Sequence, residues 1–237
     1  MDSTAYTTLS RQSGLMREMQ IVANNVANAS TTGYRQGGMI FSEFVRRAPG
    51  EPSISMAGAK VEHTSLSQGA LRRTDGPFDM AIEGDGFFQI ETPDGVRLTR
   101  AGAFSPNAAG DLVTMEGHRV LDAGGAPVFV PGTATSIRIA SDGTISADDG
   151  PIGQVGVVQP VDPLGLVRED GVMFRADDGV EPAEGARVLQ FFLESSNVNS
   201  VLQLARMIEV QRAYELGQKF LDAEDRRVRD AIDTLKS

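Results

Sequence analysis

The sequence contains no cysteine and no tryptophan, and only three tyrosines among its 237 residues. Without cysteine the chain can form no disulfide, no thiolate zinc site and no cysteine nucleophile. The shortage of large amphipathic aromatic residues also leaves few candidates for a binding surface of the kind that recognises small ligands such as carbohydrates.

Basic residues are also scarce. The sequence has 22 lysines and arginines and 32 acidic residues, so its net charge is −10. This balance argues against a nucleic-acid surface, since phosphate binding requires clustered lysine and arginine. No apolar run approaches the roughly 20 residues of a membrane span. The N-terminal stretch lacks the basic and apolar regions of a cleavable signal peptide, so export would require a dedicated route.

Motifs of catalysis and metal binding are also missing. His63 and His118 have no second ligand at metal spacing, and no phosphate-binding loop or nucleophile elbow occurs. The sequence therefore predicts no catalytic, cofactor-binding or metal-binding residue. The acidic turns at 141–150 and 168–179 could bind calcium, but they lack the ligand spacing of an EF-hand, and solvated turns explain the same acids.

The first 28 residues have the pattern of an amphipathic helix, predicted over residues 4–28. Apolar or small residues recur at spacings of three and four, with one glutamine among them. The positions are Ala5, Leu9, Gln12, Met16, Met19, Ala23 and Val26.

The C-terminal segment carries a heptad pattern, and no proline interrupts it between residues 199 and 235. The repeating positions are Met207, Tyr214, Leu221, Val228 and Leu235, with Val210, Gly217 and Ala231 three residues after three of them. A long helix draws most of its stability from packing its apolar face. Its partner would be the N-terminal helix and then neighbouring subunits, although an ordinary helical hairpin on a monomer fits the pattern equally well.

The middle of the chain has the composition of a β domain, predicted over residues 72–195. Seven Asp-Gly dipeptides lie there between short runs of alternating character, and Asp-Gly is a favoured hairpin turn. Residues 36–71, rich in Pro, Gly and Ser, are predicted to be an extended connector. The expected fold class is α+β: paired terminal helices, 1–35 and 196–237, form a coiled-coil-like inner domain with an inserted antiparallel all-β domain.

The stretch ANNVANASTTGYR at 23–35 ends the first helix in an unusual way. Asparagine weakens a helix because its side chain competes for backbone groups, and glycine permits the left-handed conformation of a sharp turn. Tyr34 would provide a large amphipathic anchor just beyond the glycine. Near the start of the last helix, Asn197 and Asn199 are expected to cap that helix, together with Ser195 and Ser196. We refer to the positions that follow as the helix-end cluster: Asn24, Asn25, Asn28, Gly33, Tyr34, Asn197 and Asn199. The cluster is predicted to act in assembly, and a simple helix cap is the alternative.

Three stretches resemble the axial proteins of the bacterial flagellum, the rod and hook subunits. They are ANNVANASTTGYR, AIEGDGFFQIETPDGVRLTRAGAFSPNAAGDLVTMEGHRVL and LESSNVNSVLQLARMIEVQRAYELGQKFLDAEDR, in that order. The resemblance implies a structural protein, not an enzyme, with no cofactor. Its terminal helices would pack with other subunits around a central channel, and its β domain would form an outer layer.

The resemblance also implies partners and a location. The partners would be copies of the chain, other rod subunits and the flagellar type III export apparatus, with no nucleic acid and no membrane insertion. The location would be the periplasmic rod of the basal body, reached without a cleaved signal peptide. The short stretch at 36–71 favours a proximal rod subunit; the alternatives are a distal rod or other axial subunit and, in another class, a secreted carbohydrate- or calcium-binding module with a helical clasp.

Overall fold

The computed structural model describes residues 2–46, 54–134, 136–148 and 150–236, with side chains for 7–40, 63–134, 136–148 and 150–234. An N-terminal helix, α1 (Asp2–Ala27), and a C-terminal helix, α2 (Ser200–Lys236), flank a β-rich middle. This confirms the α+β class. The predicted helix bounds, 4–28 and 199–235, differ from those observed by one or two residues.

Eighteen strands lie within the described residues. They are β1 (Gly37–Arg46), β2 (Ile54–Thr64), β3 (Leu71–Arg73), β4 (Met80–Glu83), β5 (Phe87–Thr92), β6 (Gly95–Thr99), β7 (Ser105–Pro106), β8 (Leu112–Val113), β9 (Arg119–Val120), β10 (Ile137–Ile139), β11 (Thr144–Ala147), β12 (Gly150–Gln154), β13 (Val157–Pro160), β14 (Leu166–Arg168), β15 (Met173–Ala176), β16 (Val180–Pro182), β17 (Arg187–Gln190) and β18 (Phe192–Glu194). Four of them, β5, β6, β10 and β13, fall on the alternating runs FFQIE, VRLTR, SIRIA and VGVVQPV.

The chain divides into two compact units. The helical unit comprises the described residues within Met1–Ala27, Gly37–His63 and Asn199–Ser237, and the β unit comprises those within Asn28–Gln36 and Thr64–Val198. The connector expected at 36–71 contains β1 and β2, which pair in a two-stranded sheet of the helical unit. Residues 47–53 of that connector lie outside the described part of the chain.

The β unit is built from antiparallel pairings around one main core. Its largest sheet follows the order β14-β15-β6-β5-β9-β8-β7, with β13 joined to β5 and β16. The core is apolar, and its fully buried members include Met80, Phe88, Ile90, Leu112 and Ile145. Phe88 and Phe104 pack edge to face, with ring centroids 5.3 Å apart, an arrangement that aromatic pairs favour.

The Asp-Gly dipeptides form turns in a different way from the expected two-residue type. In the described dipeptides, positive φ is confined to the glycine, for example Gly95 at 107° and Gly143 at 84°. The side-chain Oδ1 of Asp142 accepts a hydrogen bond from the Thr144 backbone N–H at 2.9 Å. The turn at Asp142 and Gly143 is therefore stabilised by an aspartate side chain and a left-handed glycine.

Candidate functional site

Within the helical unit, α1 and α2 contact one another along antiparallel directions. Gln12 Nε2 donates to the Tyr214 carbonyl at 2.9 Å, and further along α1, Asn25 Nδ2 donates to Gln203 Oε1 at 3.1 Å. Gly217 makes room for this contact, since a Cβ there would lie 2.0 Å from Gln12 Nε2. The glutamine that interrupts the predicted pattern of α1 is therefore a buried contact between the helices.

The heptad positions of α2 are the better-covered face of that helix. Val210 is buried, and partial burial is shared by the other described members, Met207, Tyr214, Gly217, Leu221 and Val228. Ala231 is exposed, and the side chain of Leu235 lies outside the described residues. The heptad positions therefore lie on the more buried side of α2, because positions seven residues apart fall on a single helix face.

The predicted assembly positions of α1 are split between two environments. Met19, Ala23 and Val26 are half-buried, whereas Leu9 and Met16 are 53% and 61% exposed. The buried positions of this helix include Gln12, Glu18, Val22 and Asn25. Spacing alone did not separate the face that contacts α2 from the neighbouring apolar face.

Two further polar contacts, one between α1 and α2 and one between α1 and β1, were not predicted from the sequence. Glu18 Oε1 accepts from Arg206 Nε at 2.7 Å, and this bond raises the pKa of Arg206. Asn25 is almost completely buried; its Nδ2 also donates to the Gly37 carbonyl at 2.8 Å, and its Oδ1 accepts from the Gly37 N–H at 2.9 Å. Asn25 therefore ties the first residue of β1 to α1.

A second apolar face of α2 is open to solvent. It consists of exposed side chains separated by three, four, eight and four residues: Val201, Leu204, Ile208, Leu216 and Phe220. Leu216 is 67% exposed. Clustered exposed apolar side chains of this kind typically mark an interaction surface.

The start of α2 is capped by one member of the helix-end cluster. Asn199 Oδ1 accepts from the backbone N–H groups of Val201 and Leu202 at 3.1 and 3.2 Å. This is the expected role of an N-cap side chain. Asn24, by contrast, is exposed on α1 and accepts from Gln20 Nε2 at 3.3 Å.

In the β unit, residues 28–36 form a tight turn after α1. The Asn28 carbonyl accepts from the Thr31 N–H at 3.1 Å, and Asn28 Oδ1 accepts from Thr31 Oγ1 at the same distance. Gly33 has φ +71°, as the turn chemistry predicted, and its N–H donates to the Glu194 carbonyl at 2.7 Å. The turn is therefore joined to β18, the last strand of the β unit, by a backbone hydrogen bond.

Asn197 holds three segments of the β unit together. Its Oδ1 accepts from the Gln36 N–H at 2.6 Å, and its Nδ2 donates to the carbonyls of Ser67 and Ser65 at 2.7 and 3.3 Å. Its own N–H donates to the Tyr34 carbonyl at 3.3 Å. Its position in the sequence had suggested that Asn197 caps α2. Its hydrogen bonds instead connect it to the turn.

Tyr34 is buried beside a cation. The Arg168 guanidinium lies 4.6 Å from the Tyr34 ring centroid and 4.7 Å from that of Phe174, so it is sandwiched between two aromatic faces. Burial raises the pKa of Tyr34, and the charge of Arg168 opposes that shift. The predicted amphipathic anchor is therefore part of the β-unit core.

A buried ionic cluster lies next to this turn. Glu194 pairs with Arg35 and with Arg100, each at 3.1 Å, and all three side chains are at least 98% buried. The Gly69 N–H donates to Glu194 Oε1 at 2.8 Å. All three residues lie in the stretches that carried the family resemblance, but nothing in their local spacing indicated that they meet.

Within the part of the chain that the structure describes, no group of three or more His, Cys, Asp or Glu side chains is placed to hold a metal ion, so the calcium alternative gains no support from those residues. Among the same residues, neither helix combines the length and apolar character needed to cross a membrane.

Three family models match the chain in the order of its elements. Residues 5–35 match "Flagella basal body rod protein", residues 81–147 match "Flagellar hook protein FlgE/F/G D1 domain", and residues 189–234 match "Flagellar basal body rod FlgEFG protein C-terminal". These ranges cover most of α1 and of the turn, the centre of the β unit, and most of α2.

Curated relatives match along the whole length. The flagellar basal-body rod protein FlgF of Mesorhizobium japonicum is 37% identical over 240 residues, which cover 100% of this chain and 99% of the relative. FlgF of Caulobacter vibrioides is 35% identical over 99% of this chain and 98% of its own. The rod protein FlgG of Bacillus subtilis is 29% identical over 96% of this chain and 97% of its own length. The chain therefore belongs to the family of flagellar basal-body rod proteins.

Proposed function

We propose that this chain is a structural subunit of the flagellar basal-body rod and that it polymerises through its terminal helices. The observation that carries this proposal is the second apolar face of α2. One face of α2 already contacts α1, so a second row of exposed apolar side chains is free to pack against other rod subunits. Burying that row would supply the free energy of assembly, because removing apolar surface from water is favourable.

Within this proposal the helices form an inner assembly domain with coiled-coil-like packing, and residues 72–195 form an outer domain. The exposed Leu9 and Met16 of α1 would face neighbouring subunits together with the open face of α2. The role of Gly33, Tyr34 and Asn197 in assembly would be indirect, because these residues hold the turn that follows α1. Together with copies of itself and other rod proteins, the subunit would surround a central channel.

The position along the rod is proposed to be proximal. Relatives named FlgF match this chain at 34–37% identity in three organisms, over 99% or more of its length, and the stretch at 36–71 is short. A distal subunit is the alternative, since relatives named FlgG match at 29–33% identity. We further propose export by the flagellar type III apparatus, without signal cleavage, into the periplasm.

Replacing Leu216 with glutamate tests the assembly face. Leu216 is mostly exposed and glutamate is a good helix former, so the free energy of unfolding of the isolated chain is expected to change by less than about 0.5 kcal/mol. Cells that carry only Leu216→Glu are expected to lose rods and swimming, because a charge would be buried between subunits. Leu216→Met is the matched control and should swim. Normal swimming of the glutamate variant would contradict the assigned face.

A further inference from the structure

A groove of about 410 Å³ lies between α1 and α2 in the helical unit. Its α2 wall consists of four residues at positions i, i+3, i+4 and i+7: Ala213, Leu216, Gly217 and Phe220. In coiled coils, four residues at this spacing form the hole that receives one side chain of a packed helix. The α2 wall therefore has the pattern of such a hole, and it includes two members of the second apolar face.

The α1 wall of the groove has the same spacing. It consists of Thr8, Arg11, Gln12 and Leu15. No side chain of the described residues fills the space between the two walls. Leu216 and Phe220, at its edge, are 67% and 45% exposed. An apolar side chain from a third helix would therefore remove apolar surface from water if it entered the groove.

Suitable apolar side chains occur on α2 itself, outside the groove. Leu204 and Ile208 are about one helical turn apart and are 48% and 51% exposed. Ile208 precedes Leu216 by eight residues, which is roughly 12 Å along a helix. A rigid helix therefore cannot place Ile208 in the groove of its own chain, whereas a second copy can.

Two exposed side chains near these positions carry opposite charges, and neither forms an ion pair among the described residues. Arg11 is the one charged residue that lines the groove. Glu215, which accepts from Gln211 Nε2 at 3.1 Å, follows Ile208 by seven residues and so lies on the same face of α2. Arg212 lies on the other side of Ile208, about 60° from Glu215 around the helix. A helix that presents Ile208 to the groove therefore also presents a carboxylate.

We propose that this groove receives Ile208 of a second copy of the chain, whose α2 lies parallel to the first and is displaced along it by roughly 12 Å. Arg11 then pairs with Glu215 of the second copy, in a charge-assisted hydrogen bond. The proposal rests on the proposed function, because it names the partner surface of the second apolar face.

The direction of the second α2 follows from the charges. In the parallel arrangement, Glu215 of the copy lies toward the start of α1, because α1 runs antiparallel to α2. Side chains of a helix lean toward its N-terminus, so Arg11 reaches in that direction. In the antiparallel arrangement, Ile208 would lie opposite Leu216 and Arg212 opposite Arg212 of the copy, where like charges repel. The parallel arrangement joins two different surfaces, so copies can be added in one direction, as in a rod.

Exchanging the two charges tests this contact in cells. Arg11→Glu and Glu215→Arg are each expected to lower the number of rods per cell about fivefold, because a repulsive pair replaces an attractive one. The double variant should return to within about twofold of wild type, because the pair is restored with its signs exchanged. Arg11→Glu combined with Asp230→Arg, which reverses another exposed acid of α2, is the matched control and should stay low. Single variants with normal rods, or a double variant no better than the singles, would overturn the proposal.

Cross-linking tests the same contact in isolated rods, and the absence of native cysteine makes an introduced pair unambiguous. Thr8→Cys is combined with Ile208→Cys. Because α1 and α2 are antiparallel, Thr8 lies near the Phe220 end of its groove, too far from Ile208 of the same chain for a disulfide. Rods of swimming cells should contain disulfide-linked dimers and trimers, in several-fold excess over either single variant.

Three other results would have different meanings. Linked dimers without trimers would indicate a two-fold pair and overturn the proposal. Rods that contain the chain but no cross-links would also overturn it and leave the proposed function intact. Absence of the chain from wild-type rods would instead overturn the proposed function.

Discussion

Replacing Glu194 with alanine is expected to lower the free energy of unfolding by about 3–5 kcal/mol, the usual effect of removing one partner from a buried ion pair. Glu194 is 1% exposed and lies between Arg35 and Arg100, which are equally inaccessible. The variant would leave two buried guanidinium groups without a counter-ion and the Gly69 N–H without its acceptor. Urea denaturation of the purified chain, followed by circular dichroism, measures this change.

Two variants separate the charge of Glu194 from its shape and from general effects of losing an acid. Glu194→Gln keeps an acceptor and the side-chain volume but removes the charge. Its free energy of unfolding should therefore lie between those of the wild type and Glu194→Ala. Glu83→Ala breaks an exposed pair with Arg187, at 3.9 Å, and should cost less than about 1 kcal/mol. A loss below about 1 kcal/mol for Glu194→Ala would show that the cluster does not stabilise the β unit.

Replacing Gly33 with alanine is expected to destabilise the chain by about 3 kcal/mol or more. The backbone there has φ +71°, which is unfavourable for any residue with a Cβ. An added Cβ would also lie 2.3 Å from the Ala101 nitrogen and 2.4 Å from the Arg100 carbonyl carbon. Both are backbone atoms, so no side-chain rotation can relieve the clash, and the turn would have to move away from the backbone of Arg100 and Ala101.

Gly117→Ala is the matched control for this substitution. Gly117 also has positive φ, +88°, but an added Cβ would meet nothing within 4 Å. Its variant isolates the strain of the backbone conformation and should cost about 1 kcal/mol. Thermal unfolding of both variants gives the comparison, and equal losses of stability would contradict the argument from close approach.

The elements that sequence analysis located are those with a local cause. The heptad positions of α2 were visible because a helix face repeats along the chain, and Gly33 was recognisable because a left-handed turn favours glycine. Strands β5, β6, β10 and β13 followed from alternating residues between turn signals. In each case the residues that form the element are close in sequence.

The features that were missed depend on residues far apart in the chain. Arg35, Arg100 and Glu194 are separated by 65 or more residues and meet only after the strands pair. The strands β1 and β2 lie in a stretch whose composition indicated only a connector. Asn197 was expected near a helix cap, yet it fastens the turn, because its hydrogen-bond partners are set by tertiary contacts.

The central claim is that the chain is a rod subunit whose terminal helices drive assembly, and electron microscopy of isolated basal bodies tests it most directly. The gene is deleted in its own host and complemented with the full-length chain or with a copy that lacks α2. The account predicts that rods are missing after deletion and are restored only by the full-length chain. Complete rods in the deletion strain, or in the strain that lacks α2, would contradict it.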